Sequence, residues 1–145
     1  MGSEMCIRDR SDPVAKRLQQ LRGVGLLTAT ALLAAVGNGE QFSKGRHLAA
    51  SLGLTPKQHS TGGKERLLGI SKRGDPYLRK LLVHGGRAAL YAARNKNDPL
   101  SQWAKRIAAR SHPNVAAVAW ANKTARIAWV MIRHGCDYQP ERAMN

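Results

Sequence analysis

Apolar residues recur along most of this chain at helical rather than alternating spacing, and the runs are separated by Gly, Pro and capping acids. Asp12 or Ser11 can cap a first helix, with Pro13 at its first position, running to about Leu21. The run Leu26 to Val36 (LLTATALLAAV) is apolar nearly all round, which predicts a central, buried helix stopped by Gly37. Ser43 can cap a third helix ending before Gly53. Pro56 and Gly62-Gly63 then mark a loop to which the pattern assigns no regular structure. Asp75-Pro76 starts a fourth helix to about Lys96, because the acid caps and Pro sits where no backbone N–H is needed. Its predicted buried stripe is Leu78, Leu81, Leu82, Ala88, Ala89 and Ala92, with Arg79, Lys80, Arg87 and Arg94 off it. Gly85-Gly86 in mid-helix costs propensity, so the expected gain is close approach of a neighbouring helix or a phosphate. Asp98-Pro99 opens a fifth helix to Arg110, and Pro113 opens a sixth that ends at Gly135.

The elements predict an all-α fold, a compact helical bundle forming one domain over residues 11–138. The opening MGSEMCIRDR has neither helical nor strand period and reads as a non-native leader from translated adapter sequence, so the natural N-terminal part is expected to be missing. Residues 139–145 are expected to fray. Trp103, Trp120 and Trp129 lie at helix-compatible positions. Base stacking is open to them, but core packing is the stronger expectation in a chain with few other aromatics.

Charge changes the picture. The formal net charge is +15, which opposes compaction unless a polyanion offsets it. From Arg46 to Arg110 there are fourteen basic residues against three acids, Glu65, Asp75 and Asp98, so the excess belongs to the folded middle of the chain. Clustered basicity of this kind points to DNA or RNA. A membrane surface fits less well, since no helix pairs a basic face with a large Trp/Phe/Leu face. Cys6 and Cys136 have no neighbouring Cys or His at ligand spacing, so neither a disulfide framework nor a metal site is expected. With no signal-peptide core and no bilayer-length apolar run, a cytoplasmic location is expected.

Two segments could carry chemistry. Leu21-Arg22-Gly23-Val24-Gly25, followed by Thr28, resembles a helix-hairpin-helix turn, in which glycines admit a phosphate and helix-start N–H groups point toward it. Such a turn holds the DNA backbone without reading sequence. The plainer alternative is an interhelical turn with Gly for steric reasons. The second segment, Gly53 to Leu82, sets Ser60 and Thr61 on a Gly-rich stretch among Lys57, His59, Lys64, Arg66, Lys72 and Arg73, with Arg79 beyond. A hydroxyl among cations suits attack on a phosphodiester. An ordinary turn whose cations only grip phosphates is the alternative, and the residues alone favour it.

These motifs occur together as GVG-x2-TA, then GL-x-P with Ser-Thr-Gly, then ISKRGD-x2-LR-x-LL. In that combination, from about Leu18 to Tyr138, the chain closely resembles the C-terminal domain of the insertion-sequence 110 family of transposases. This DEDD-type family includes the Piv DNA invertase and the bridge-RNA-guided recombinases. The resemblance implies DNA as partner, a guide RNA and a homo-oligomer for the full-length protein, and a site in two halves. One half is an RNase H-like domain, absent here, whose acids hold a divalent metal such as magnesium. The other is a serine in the C-terminal domain that becomes linked to the DNA phosphate. Spacing back from Ile70 to the family's I-[ST]-K-x-G segment implies Ser60, with Thr61, directly before Gly62, as the fallback. The acids Glu40, Glu65, Asp75, Asp98, Asp137 and Glu141 are scattered, so this segment alone is expected to hold no metal and to be inactive. A non-catalytic helix-hairpin-helix module gripping DNA or structured RNA, or a ribosomal-type RNA-binding protein, remains the alternative.

Overall fold

The structure is a computed structural model that describes residues 12–61, 64–72 and 74–140. The expected leader, Arg73 and all of the expected tail beyond Pro140 lie outside the described residues. Asp12 accepts from the Val14 N–H at 2.8 Å and starts α1 (Pro13–Leu18). α1 stops short of the expected Leu21, because the chain passes into successive tight turns that keep Leu21 and Val24 buried. α2 (Leu26–Val36) and α3 (Gly45–Ser51) follow. Then comes an antiparallel hairpin, β1 (Pro56–Thr61) and β2 (Lys64–Ile70). The chain closes with α4 (Pro76–Ala93), α5 (Pro99–Arg110) and α6 (Pro113–His134). The expected all-α bundle is thus present, and a two-stranded ribbon stands where the pattern assigned no regular structure.

α6 is the central element. It packs on α1, α3, α4 and α5, and buries nine side chains, among them Trp120, Trp129 and a ladder of alanines. Small residues let backbones approach closely. A Cβ added at Gly86 of α4 would lie 2.5 Å from the Ala117 carbonyl oxygen. The mid-helix glycine therefore serves a helix crossing, one of the two gains expected for it. Trp120 and Trp129 are core residues, and their indole N–H groups donate to the carbonyls of Arg22 and Gly39.

Three expectations need correction. α2 is not central: it buries Thr28, Ala29, Leu32 and Val36, and leaves Leu27 59% exposed, because only one side of it faces α1 and α4. In α4 the buried stripe runs Leu78, Leu82, Gly86, Ala89, Ala93, at helical spacing, and Ala88 and Ala92 are exposed. α3 begins after Lys44, and the Ser43 hydroxyl pairs with the His47 ring at 2.9 Å instead of capping.

Candidate nucleic-acid interface

The turn between α1 and α2 is held by backbone geometry. Gly23 has φ +86°, and its missing Cβ would sit 2.4 Å from the Gly85 carbonyl oxygen; a Cβ on Gly85 would sit 2.0 Å from the Gly23 carbonyl oxygen. The two backbones touch, so Gly23 is spent on the fold. Gly25 differs. It is the N-cap of α2 with φ −94°, nothing lies within 4 Å of its Cβ position, and it is exposed. The first N–H groups of α2 are therefore approachable beside it. Thr28, expected to bind DNA, is buried, which removes its side chain from the surface.

Arg22 of the same turn points inward. Its guanidinium meets Asp98 at 3.0 Å and the Ser101 hydroxyl at 2.8 Å, and that hydroxyl donates to Asp98 at 2.6 Å. Burial pushes the Asp98 carboxyl up, but hydrogen bonds from Ser101 and Arg22 outweigh it and bring its pKa down from 3.8 to about 2. A depressed carboxylate adds stability that is present above its unfolded value and lost as pH falls through the folded one. With Asp98 one-third exposed, the contribution is about 1–2 kcal/mol. Urea melts should therefore lose that amount between about pH 4 and pH 2, and Asp98→Asn should flatten the loss. An equal acid loss in the variant would remove Asp98 from the account.

The second group of residues lies on and around the hairpin. Ser60 shares a register position with Glu65, Thr61 with Lys64, and His59 with Arg66. Strand alternation places positions 59, 61, 64 and 66 on one face of the ribbon and positions 58, 60, 65 and 67 on the other. Lys57 lies where the register shifts, between Pro56 and Gln58. The foot of the hairpin is tied to the loop that follows α3: the Ser71 N–H donates to Thr55 at 2.9 Å and the Lys72 N–H to Gly53 at 3.2 Å. Arg79 donates to the Leu52 carbonyl at 3.2 Å, so part of its bonding capacity is structural. Lys72 is exposed and adopts φ 56°, the left-handed region that non-glycine residues avoid. α4 spaces the two groups: Arg79 and Gly85 are six residues apart, about 9 Å along the axis.

Among the described residues no cluster of His, Cys, Asp or Glu could hold a metal. Four of the acids are committed elsewhere, Asp12 and Asp75 to helix caps, Asp98 to Arg22, and Asp137 to Arg17 at 3.7 Å. The divalent metal implied by the resemblance does not fit these residues. No described helix is long and apolar enough to cross a membrane. One feature escaped sequence reasoning: a cavity of about 520 Å³ between Trp103 of α5 and Val115, Val118, Asn122, Lys123 and Arg126 of α6.

The fold and its surface define a helical domain with a backbone-packed turn at one place on α4 and an anchored hairpin at another. A family profile described as the transposase IS116/IS110/IS902 family matches residues 15–102. The chain is 48% identical over 131 residues to a Pseudomonas aeruginosa protein described as "Probable family 20 transposase", covering 90% of this chain and 39% of that protein. It is 50% identical over 124 residues to the transposase for insertion sequence element IS1111A of Coxiella burnetii, covering 86% and 34%. It is 44% identical over 124 residues to the transposase for insertion sequence element IS1328 of Yersinia enterocolitica, covering 86% and 37%. The chain belongs to the IS116/IS110/IS902 transposase family and spans little more than a third of the length of these relatives.

Proposed function

We propose that this chain is the DNA-gripping part of a transposase or site-specific recombinase, and that Ser60 is its nucleophile. Its relatives' names supply the class of reaction. The observation that carries the finer reading is the hairpin. It carries Ser60 and Thr61 away from a foot that is hydrogen-bonded to the loop following α3, in a segment dense with cations. Backbone N–H groups beside the open Gly25 would hold a DNA phosphate in the helix-hairpin-helix manner. The Ser60 Oγ would form a bond to the target phosphorus. The P–O bond to one sugar would break, and the displaced sugar oxygen would take up a proton. A serine hydroxyl is a weak nucleophile at neutral pH, so its activation must come from the remainder of the full-length protein. The segment alone is accordingly inactive. A cytoplasmic location, a guide RNA and a homo-oligomer for the full-length form belong to the same proposal.

The test is a denaturing gel of a full-length family member carrying this segment, incubated with labelled DNA. Ser60→Ala should abolish the covalent protein–DNA adduct. It should leave melting and DNA affinity within about 0.5 kcal/mol of the parent, the outcome for a hydroxyl that serves chemistry and not packing. Loss of the adduct only in Thr61→Ala moves the role one residue along. An adduct surviving both changes takes the hairpin out of the chemistry and leaves the non-catalytic binding module.

A further inference from the structure

The cavity against α6 is not explained by the backbone-gripping surface. Its volume, about 520 Å³, falls within the range of small-molecule sites, roughly 300–1,000 Å³. Its walls are mostly apolar. Trp103 is half-buried and Val115 is 52% exposed, so the indole and the isopropyl group are accessible from solvent. Leu54 and Ile70 also line the cavity, and these two residues flank the foot of the hairpin. The cavity therefore opens beside the segment proposed to act on DNA.

Its polar groups are specific. The Lys123 ammonium lies 4.8 Å from the centre of the Trp103 ring, and Arg126 lines the same cavity three residues along α6. Among the described side chains neither cation has a carboxylate within ion-pair distance. Burial, and secondarily the Arg126 charge, depress the Lys123 pKa. Asn122 donates one N–H to the Leu54 carbonyl at 3.3 Å. That leaves its amide oxygen and a second N–H, the donor–acceptor pair that matches the edge of adenine. An apolar peptide side chain could fill the volume, but it would cover two cations without supplying an anion. A nucleotide satisfies all of these features: a flat base for the indole and valine walls, an edge for the amide, and a phosphate for the cations.

We propose that the cavity lined by Trp103, Val115, Asn122, Lys123 and Arg126 is a binding site for one unstacked nucleobase, with its phosphate on the two cations. This rests on the reading of the chain as a nucleic-acid binder. It adds a base-dependent site to a surface that otherwise holds only backbone. The base could belong to a DNA strand opened near the hairpin or to a single-stranded RNA; the recognising chemistry is shared.

The experiment uses the 145-residue chain and oligomers of about 12 residues that are abasic throughout or carry one central adenine, on deoxyribose or ribose backbones. The adenine oligomer should bind about tenfold tighter than the abasic one and alter Trp103 emission, since base–aromatic stacking acts on an accessible indole. Ala119 also lines the cavity, and Ala119→Leu, which fills it, should erase that difference, leaving abasic-oligomer and duplex affinity unchanged. Trp103→Leu should erase it too. The backbone on which the adenine advantage is larger identifies the strand. Equal binding of adenine and abasic oligomers, or an advantage that survives Ala119→Leu, overturns the proposal. Failure of duplex and oligomers alike to bind would overturn the underlying reading instead.

Discussion

Gly85→Ala should destabilise this domain by about 3 kcal/mol or more, although the same change inside a helix ordinarily stabilises by about 0.5–1 kcal/mol. The sign reverses because the new Cβ would meet a backbone oxygen at 2.0 Å, and a backbone cannot step aside as a side chain can. Either α4 or the α1–α2 turn must move. The turn also carries Arg22, whose ion pair and hydrogen bond link it to the start of α5. The loss is a large share of a typical stability of about 5–15 kcal/mol and should lower the melting temperature by about 10 °C or more. Gly23→Ala should be at least as damaging, since it adds φ +86° to the same clash. Gly25→Ala is the control, with an ordinary φ and open space around it; its melting temperature should not move. Gly25→Val should weaken DNA binding at unchanged melting by crowding the approach to α2. Thermal melts of the four variants decide the matter. An unperturbed Gly85→Ala would mean that the turn does not rest on α4.

Duplex DNA binding should fall by about a thousandfold between about 50 and 200 mM salt. The estimate counts the six named cations, Lys57, Lys64, Arg66, Lys72, Arg73 and Arg79, each releasing about 0.9 of a counterion. Lys72 lets charge and conformation be separated. Lys72→Ala removes one cation and keeps the strained φ of 56°. Lys72→Gly removes the cation and relieves the strain, which costs a non-glycine residue about 1–2 kcal/mol. Both should flatten the salt slope by about 0.9. Lys72→Ala should leave stability near the parent's, and only Lys72→Gly should raise it, by up to about 1 kcal/mol after the glycine's extra chain entropy is subtracted. Titrations at several salt concentrations test this. A salt-independent affinity would refute the electrostatic account, and an unchanged slope would place Lys72 off the DNA.

The legible parts of this fold are those whose causes are local. Asp75-Pro76 and Asp98-Pro99 start helices because a capping carboxylate and a fixed φ act within one turn, and both helices begin there. Gly37 and Gly135 stop helices for equally local reasons. The hairpin was less legible, since its polar strands lack an apolar alternation and only Gly62-Gly63 marks the ribbon. What could not be read was contact between distant positions. Gly23 and Gly85 are each plausible turn or helix glycines, and nothing local says that they touch. Asp98 was visible as a cap but not as the partner of Arg22. The apolar sequence of α2 suggested a central helix, but centrality went to α6, whose alanines allow more neighbours to approach. At the candidate site, Ser60 and Thr61 stood out by type and neighbourhood. The cavity around Trp103 did not, because β2, α5, α6 and the loop after α3 assemble it.

The pairing of Arg17 and Gln20 with Asp137, and of the Tyr138 N–H with Gln20, also bears on how the protein is made. Gln20 and Asp137 are separated by 117 positions. At about 5–20 residues per second, a ribosome needs roughly 6 to 23 s to travel between them. During that interval α1 and α3 are already synthesised but lack α6, which packs on both. Their apolar faces, including Leu18 and Leu48, stay open to solvent or to chaperones until α6 emerges. Translational pausing late in α6 should therefore lower the yield of folded protein more than pausing at the hairpin.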